Sequence, residues 1–241
     1  MADDGYVLVD QLLDRRTCLA VAEQLSKAAD SAGQRHLIDH AAVQLLLHEP
    51  RLIAAVRDIF GEQANPNASG SAAVPALPLP LTSAFAFNAT LFDKHSEQNW
   101  LVAWHQDVTI PVAEKRDVPG WTAWSVKEGV DYVCPVDRVL RAVVALRIHL
   151  DDCHAENGPL RVLRGSHVLG HVPQSKVAGM ADSFETDIIE GNAGSAVFMK
   201  PLLIHASSKA TADARRRVLH LEFAAIDLPS PLVWHRRCAV G

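Results

Sequence analysis

From residue 83 onward the chain changes its hydrophobic period, and that change limits what it can fold into. The stretches "SAFAFNATLF", "AVVALRIHL", "LRVLRG", "SAVFM" and "VLHLEFAAI" are short, alternate in the manner of strands and are separated by turn signals. "ENGPL" places Asn157-Gly158 between two of them, which predicts a hairpin, and "EGNAG" marks a turn ahead of "SAVFMKPLLIH". Many short strands without regular helical interleaving predict an antiparallel sandwich or barrel rather than a parallel sheet.

Before residue 83 the spacing is helical. "YVLVDQLLDRRTCLAVAEQLSKAAD" opens as a strand and continues as a helix whose Leu19, Val21, Ala22 and Leu25 recur on one face. "HLIDHAAVQLLLHEPRLIAAVRDIFG" predicts two more helices, broken at Pro50 and stopped at Gly61, with His36, His40 and His48 as surface or cap residues. Residues 64–82 hold too much proline for a helix or a central strand and read as a linker or surface loop. The chain is therefore expected to be one domain: a helical part over 1–63, a loop over 64–82 and a β core over 83–226. Its 241 residues, 49% hydrophobic, suffice for one large core.

Charge and cysteine usage narrow the partners. The formal net charge is -5 and the longest basic run is Arg215-Arg216-Arg217, so neither nucleic acid nor an acidic membrane surface is an expected partner. No apolar run approaches the roughly 18–20 residues of a membrane span, and "MADDGYVLVD" lacks the layout of a signal peptide. Cys18, Cys134, Cys153 and Cys238 are scattered without a C-x-x-C, as expected of reduced thiols in a cytoplasmic protein.

The chemistry concentrates in "WHQD". In a strand, residues i and i+2 share a face, so His105 and Asp107 aim an imidazole and a carboxylate at one point. His205, ending an apolar run about a hundred residues later, is the candidate third ligand. Two imidazoles and one carboxylate leave open positions on a metal, the environment of a non-haem Fe(II) oxygenase. Arg216 lies eleven residues beyond His205. If 201–205 and 215–224 are neighbouring antiparallel strands, Arg216 comes beside His205 and can grip a carboxylate with two parallel bonds. Alternation turns Arg215 and Arg217 to the other face.

"WHQD", "HLDDCHAENGPLRVLRGSH" and "HASSKATADARRRVLHLEFA" resemble the phytanoyl-CoA dioxygenase family of Fe(II)/2-oxoglutarate-dependent oxygenases, over roughly residues 83–226. "GYVLVDQLL" resembles the start of that family. The resemblance implies a double-stranded β-helix, a jelly roll of the cupin kind. It implies that His105, Asp107 and His205 hold iron, that Arg216 and Ser207 hold the far carboxylate of 2-oxoglutarate, and that Gln106 touches the co-substrate. Arg147 stands where the family often has tryptophan; buried there it needs an acceptor, which 2-oxoglutarate or Glu222 would provide. The implied reaction uses O2 to hydroxylate a C–H bond of a small molecule and releases succinate and CO2. Desaturation or ring formation stays open. Asp107 argues against halogenation, and five intact key positions argue against a metal-binding module without turnover. No motif demands a CoA ester.

The segment 108–140, with Trp121, Trp124, Lys127 and Tyr132, is either a satellite cluster under a loop or a lid carrying substrate contacts. His149 and His220 sit in alternating strands as candidate pocket-lining residues. His167 of "GSH" reads as structural, and Asp151-Asp152 as acceptors for turn amides.

Overall fold

A computed structural model describes residues 1, 3–26, 33–64 and 84–241. Strand β1 (Tyr6–Val9) leads into helix α1 (Arg15–Ser26), whose first turn is capped by the Asp14 carboxylate accepting from Thr17 N at 2.8 Å. The buried face of α1 is Cys18, Val21, Ala22 and Leu25. Leu19, assigned to that face by its spacing, is 47% exposed; Cys18 takes its place. After β2 (Gly33–Gln34) come α2 (Ala41–Leu47) and α3 (Pro50–Ala64). His40 caps α2, its Nδ1 accepting from Ala42 N. Pro50 suits the first helical position, where its missing N–H is not needed. Gly61 does not stop α3. A helical glycine costs only about 1 kcal/mol, less than the packing of Leu52, Val56, Ile59 and Phe60 on the core provides. The loop expected over 64–82 lies, apart from Ala64, outside the described residues.

The β part follows as β3 (Phe85–Lys94), β4 (Val102–His105), β5 (Ile110–Val112), β6 (Thr122–Lys127) and β7 (Val130–Cys134). Then come α4 (Asp137–Arg141), β8 (Val143–His149), β9 (Leu160–Leu163), α5 (Gln174–Val177) and β10 (Thr186–Ile189). The chain ends with β11 (Ala196–Met199), β12 (His205–Ser207), β13 (Arg216–Ala224) and β14 (Cys238–Ala239). The larger sheet runs β1-β11-β8-β13-β3-β14 with β2 on β3, the smaller β10-β9-β12-β4, and a third β5-β7-β6. Their pairings are antiparallel, and the architecture is the expected jelly roll. Among the described residues no helix is long and apolar enough to cross a membrane.

Alternation gives the larger sheet two unlike faces. Leu219, Leu221 and Phe223 of β13, Val144, Leu146 and Ile148 of β8, and Ala89 and Leu91 of β3 form one core with the helices. Each large side chain fully buried there contributes about 1.5–3 kcal/mol. The opposite face carries Arg216, His220 and Glu222, Arg147 and His149, and Asn88, Thr90 and Lys94. So many polar groups on an interior face mark a cavity wall rather than a core.

Two expected local pairings are not made. Asn157-Gly158 is no hairpin turn, because β8 and β9 lie in different sheets. Asn157 closes a short 3-10 turn, and Gly158, at φ +70°, carries the chain across. Nor are 201–205 and 215–224 neighbours: β12 lies between β9 and β4, while β13 lies between β8 and β3. The connection 208–215 crosses from one sheet to the other.

Candidate active site

His105 ends β4 and His205 begins β12, and the two are cross-strand partners, so their rings stack with centroids 4.2 Å apart. Asp107, just past β4, is held by its N–H donating to Pro201 O at 2.9 Å. His105 Nε2 lies 3.6 Å and His205 Nε2 3.5 Å from the Asp107 carboxylate oxygens. One ligand atom from each residue fits within a 4.8 Å span, a group able to hold a metal ion. Each ring's Nδ1 contacts a carbonyl two residues back, Ala103 O at 2.8 Å and Leu203 O at 2.9 Å. A carbonyl only accepts, so Nδ1 carries the proton and each Nε2 lone pair faces the shared point.

The charges suit a cation there. Burial opposes ionisation of Asp107, but the neighbouring imidazoles outweigh it and hold the carboxyl well below its usual range. Burial brings His205 down to about 4, so its ring is neutral at pH 7. His105 is also penalised by burial, but the Asp107 carboxylate beside it raises it overall.

The triad opens into a cavity of about 420 Å³ walled by both sheets. Arg216 lies at one end, 3% exposed, and its Nε has no hydrogen-bond partner among the described residues. Its neighbours point away as alternation predicts: Arg215 pairs with Asp93 at 2.5 Å and Arg217 with Asp151 at 2.7 Å. Arg216 and His205 line one cavity, but from facing sheets rather than along one ladder.

Lys94, which sequence reasoning missed, is fully buried opposite Arg216 in register on β3. Its Nζ donates to Ser207 Oγ at 3.0 Å and Ser208 O at 2.5 Å. Burial, then the charges of Arg216 and Arg147, bring its ammonium down to about 8. The two-residue step Asn88, Thr90, Phe92, Lys94 was the available signal. Ser207 lines the cavity as expected, but its hydroxyl already donates to Gly158 O at 2.9 Å. Arg147, 7% exposed, meets His220 Nδ1 at 3.2 Å and the Phe92 ring; Glu222, one acceptor expected for it, is bonded by Asn88 instead. Arg147 and Arg216, which line the cavity, thus have no carboxylate within ion-pair distance among the described residues, and Lys94 adds its charge from behind Ser207. Unpaired buried charges cost several kcal/mol, so this wall fits an anionic ligand such as a dicarboxylate.

Other expected contacts fall elsewhere. Gln106 touches the cavity edge, but its amide is occupied, donating to Gly170 O and Leu202 O and accepting from Val172 N. It lies between His105 and Asp107 and braces the backbone behind them, with its amide oxygen and nitrogen already bonded within the protein. His149 bonds Ser195 Oγ at 3.1 Å and is not in the wall. The segment 108–140 forms the third sheet with α4. Trp121 is buried in a second core with Ile110, Val112 and Val133, and Trp124 packs on its edge. Neither lines the cavity; both pack in this satellite cluster. Lys127, Tyr132 and His220 do line it, as do Asn88 and Glu222, which were not expected as substrate contacts.

A jelly roll with an open two-histidine, one-carboxylate centre beside a cationic wall defines the class of non-haem Fe(II)/2-oxoglutarate-dependent oxygenases. The chain belongs to the phytanoyl-CoA dioxygenase family: the family profile described as "Phytanoyl-CoA dioxygenase (PhyH)" matches residues 1–218. Comparison with curated protein sequences returned no match. Among solved structures, the chain is similar to the epimerase SnoN in complex with Fe3+, alpha ketoglutarate and nogalamycin RO. That match has 16% identity and a TM-score of 0.64, over 99% of this chain and 91% of that one. EctD from S. alaskensis with 2-oxoglutarate and 5-hydroxyectoine matches at 15% identity and TM-score 0.63, over 93% and 73%. AviO1 from Streptomyces viridochromogenes Tue57 matches at 20% and 0.60, over 95% and 94%. At these identities the likeness is one of fold.

Proposed function

We propose that this oxygenase hydroxylates a C–H bond of a small molecule, with His105, Asp107 and His205 holding Fe(II) and Arg216 gripping the far carboxylate of 2-oxoglutarate. The observation that carries this reading is the convergence of two Nε2 atoms and one carboxylate in the cavity that Arg216 enters from the facing sheet. Bound there, Fe(II) and 2-oxoglutarate supply the oxidising power, activating O2 with release of succinate and CO2. The chain contributes placement. Ala103 O and Leu203 O fix the two imidazole tautomers, and Asp107 supplies negative charge for the cation. Arg216 and Arg147 provide the countercharge that makes burying a dicarboxylate favourable, and Lys94 adds to it from behind Ser207. The walls exclude bulk water and hold the substrate C–H bond near the centre.

Anaerobic addition of Fe(II) and 2-oxoglutarate to the purified protein tests this reading. A weak visible charge-transfer band and one Fe(II) per chain are expected, and both are lost in Asp107→Ala. In air, a metabolite panel scored for succinate release finds the substrate class. No band at saturating iron and co-substrate refutes the site.

A further inference from the structure

Past the metal triad, away from Arg216, the far compartment of the same cavity has a different lining. Arg216 and Glu222 are six residues apart on β13, about 20 Å along the strand. His220 stands between them, in register with Thr90 and Arg147. The Arg216 end is flanked by the apolar groups Phe92, Trp100, Val102 and Leu160. The Glu222 end has Val108 as its aliphatic residue and otherwise presents hydrogen-bonding groups.

These groups come from both the larger and the third sheet. Asn88 Nδ2 donates to Glu222 Oε2 at 2.7 Å and reaches the Tyr132 hydroxyl at 3.5 Å. Glu222 has no other hydrogen-bond partner among the described residues, which leaves Oε1 for a ligand. Lys127 Nζ donates to Thr109 Oγ1 at 3.0 Å and lies 4.3 Å from the Tyr132 ring centroid. Among the described residues Lys127 has no carboxylate within ion-pair distance, whereas Arg35 at the rim is engaged by Glu128 at 3.2 Å. An alkyl chain here would strip water from Glu222, Tyr132 and Lys127 without replacing its bonds, a net loss for each group. A ligand with hydroxyls and one acid restores them.

We propose that this compartment is the substrate subsite and that it takes a small hydroxylated molecule bearing an acidic group. Glu222 and Asn88 bind a hydroxyl, and Lys127 binds the acid. The proposal rests on the oxygenase reading above and narrows its substrate class. Burial, with the charge of Asp107, holds the Glu222 carboxyl up at about 7.

Calorimetric titration of the protein loaded with redox-silent Ni(II) and 2-oxoglutarate tests it. Three probes separate the contributions: D-gluconate has hydroxyls and an acid, sorbitol hydroxyls alone, octanoate an acid on an alkyl chain. Gluconate is expected to bind at least roughly tenfold tighter than either, the worth of one charge-assisted hydrogen bond. Lys127→Met brings gluconate down to the sorbitol level, Lys127→Arg retains most of its affinity, and Glu222→Leu removes its advantage over octanoate. Octanoate binding as tightly as gluconate, no binding by any probe, or an unchanged gluconate affinity in Lys127→Met overturns the proposal. If 2-oxoglutarate itself does not bind during loading, the oxygenase reading fails and the subsite falls with it. If it binds and gluconate shows no preference, only the subsite fails.

Discussion

At the scale of single residues, three consecutive arginines have three different fates. Arg215 is held outside by Asp93, Arg217 by Asp151, and Arg216 alone enters the cavity. Arg216→Ala should weaken 2-oxoglutarate binding by roughly 30- to several-thousand-fold, the cost of about 2–5 kcal/mol for breaking a desolvated charged contact. Arg216→Lys should fall between wild type and alanine, keeping charge but losing the planar fork. Arg215→Ala should leave the affinity near wild type. A 2-oxoglutarate titration of the metal-loaded variants gives the order, and a greater loss in Arg215→Ala would shift the clamp off Arg216. Lys94 adds a pH signature. Its ammonium favours an anion only while protonated, and it is held at about 8. Affinity for 2-oxoglutarate should therefore be higher at pH 7 than at pH 9, and this difference should shrink in Lys94→Met. Equal slopes in the two proteins would mean that the Lys94 charge does not act on the bound anion.

At the scale of elements, the crossing between sheets matters most. Gly158 sits where β8 and its following turn pass to β9, at φ +70°. A Cβ there would lie 2.5 Å from Ser208 O and 3.0 Å from Lys94 Nζ. Gly158→Ala thus meets both left-handed backbone strain, about 1–2 kcal/mol, and a backbone clash. It should lower the melting temperature by several degrees and, by displacing residues 207 and 208, weaken 2-oxoglutarate binding as well. A calorimetric scan and the same titration read both; normal values in each would mean that this crossing tolerates a shift of β12. On the helix-packed face of the larger sheet, Leu221→Ala should cost about 2–5 kcal/mol in stability through its cavity, which denaturant unfolding measures.

At the scale of the whole molecule, the interior holds ionisable groups in unusual states. Burial brings His149 and His205 down to about 4 and His220 to about 3. All three fold neutral, whereas in the unfolded chain they take up protons near pH 6.5. Their folded values lie below the unfolded one, so the stability they contribute is present above pH 6.5 and is lost as pH falls toward 4. Glu222, pushed up to about 7, has the opposite slope: its contribution is present below about 4.5 and is lost as pH rises through 7. His105, raised by Asp107, shares the slope of Glu222. Three histidines outweigh these two groups, so the metal-free protein should melt at progressively lower temperature from pH 7 to pH 5. A melting temperature that is flat or rising over that interval would contradict the buried neutral histidines.

The sequence determined the local facts, because they depend on alternation and spacing within one strand. It separated Arg216 from Arg215 and Arg217, placed His105 and Asp107 on one side, and located β3, β8, β9, β11, β13 and the break at Pro50, though not the strands within 108–140. The same alternation turns Gln106 from the face of its two neighbours, and on β3 it places Lys94 two steps beyond Thr90. Only the tertiary structure decided which sheet each strand joins, because pairing partners are chosen by contacts distant in the chain. That choice brings Arg216 to the cavity of His205 across facing sheets rather than along one ladder. It also sends Trp121 into a second core and His149 behind Ser195, and gathers Asn88, Glu222 and Lys127 from three strands into one wall.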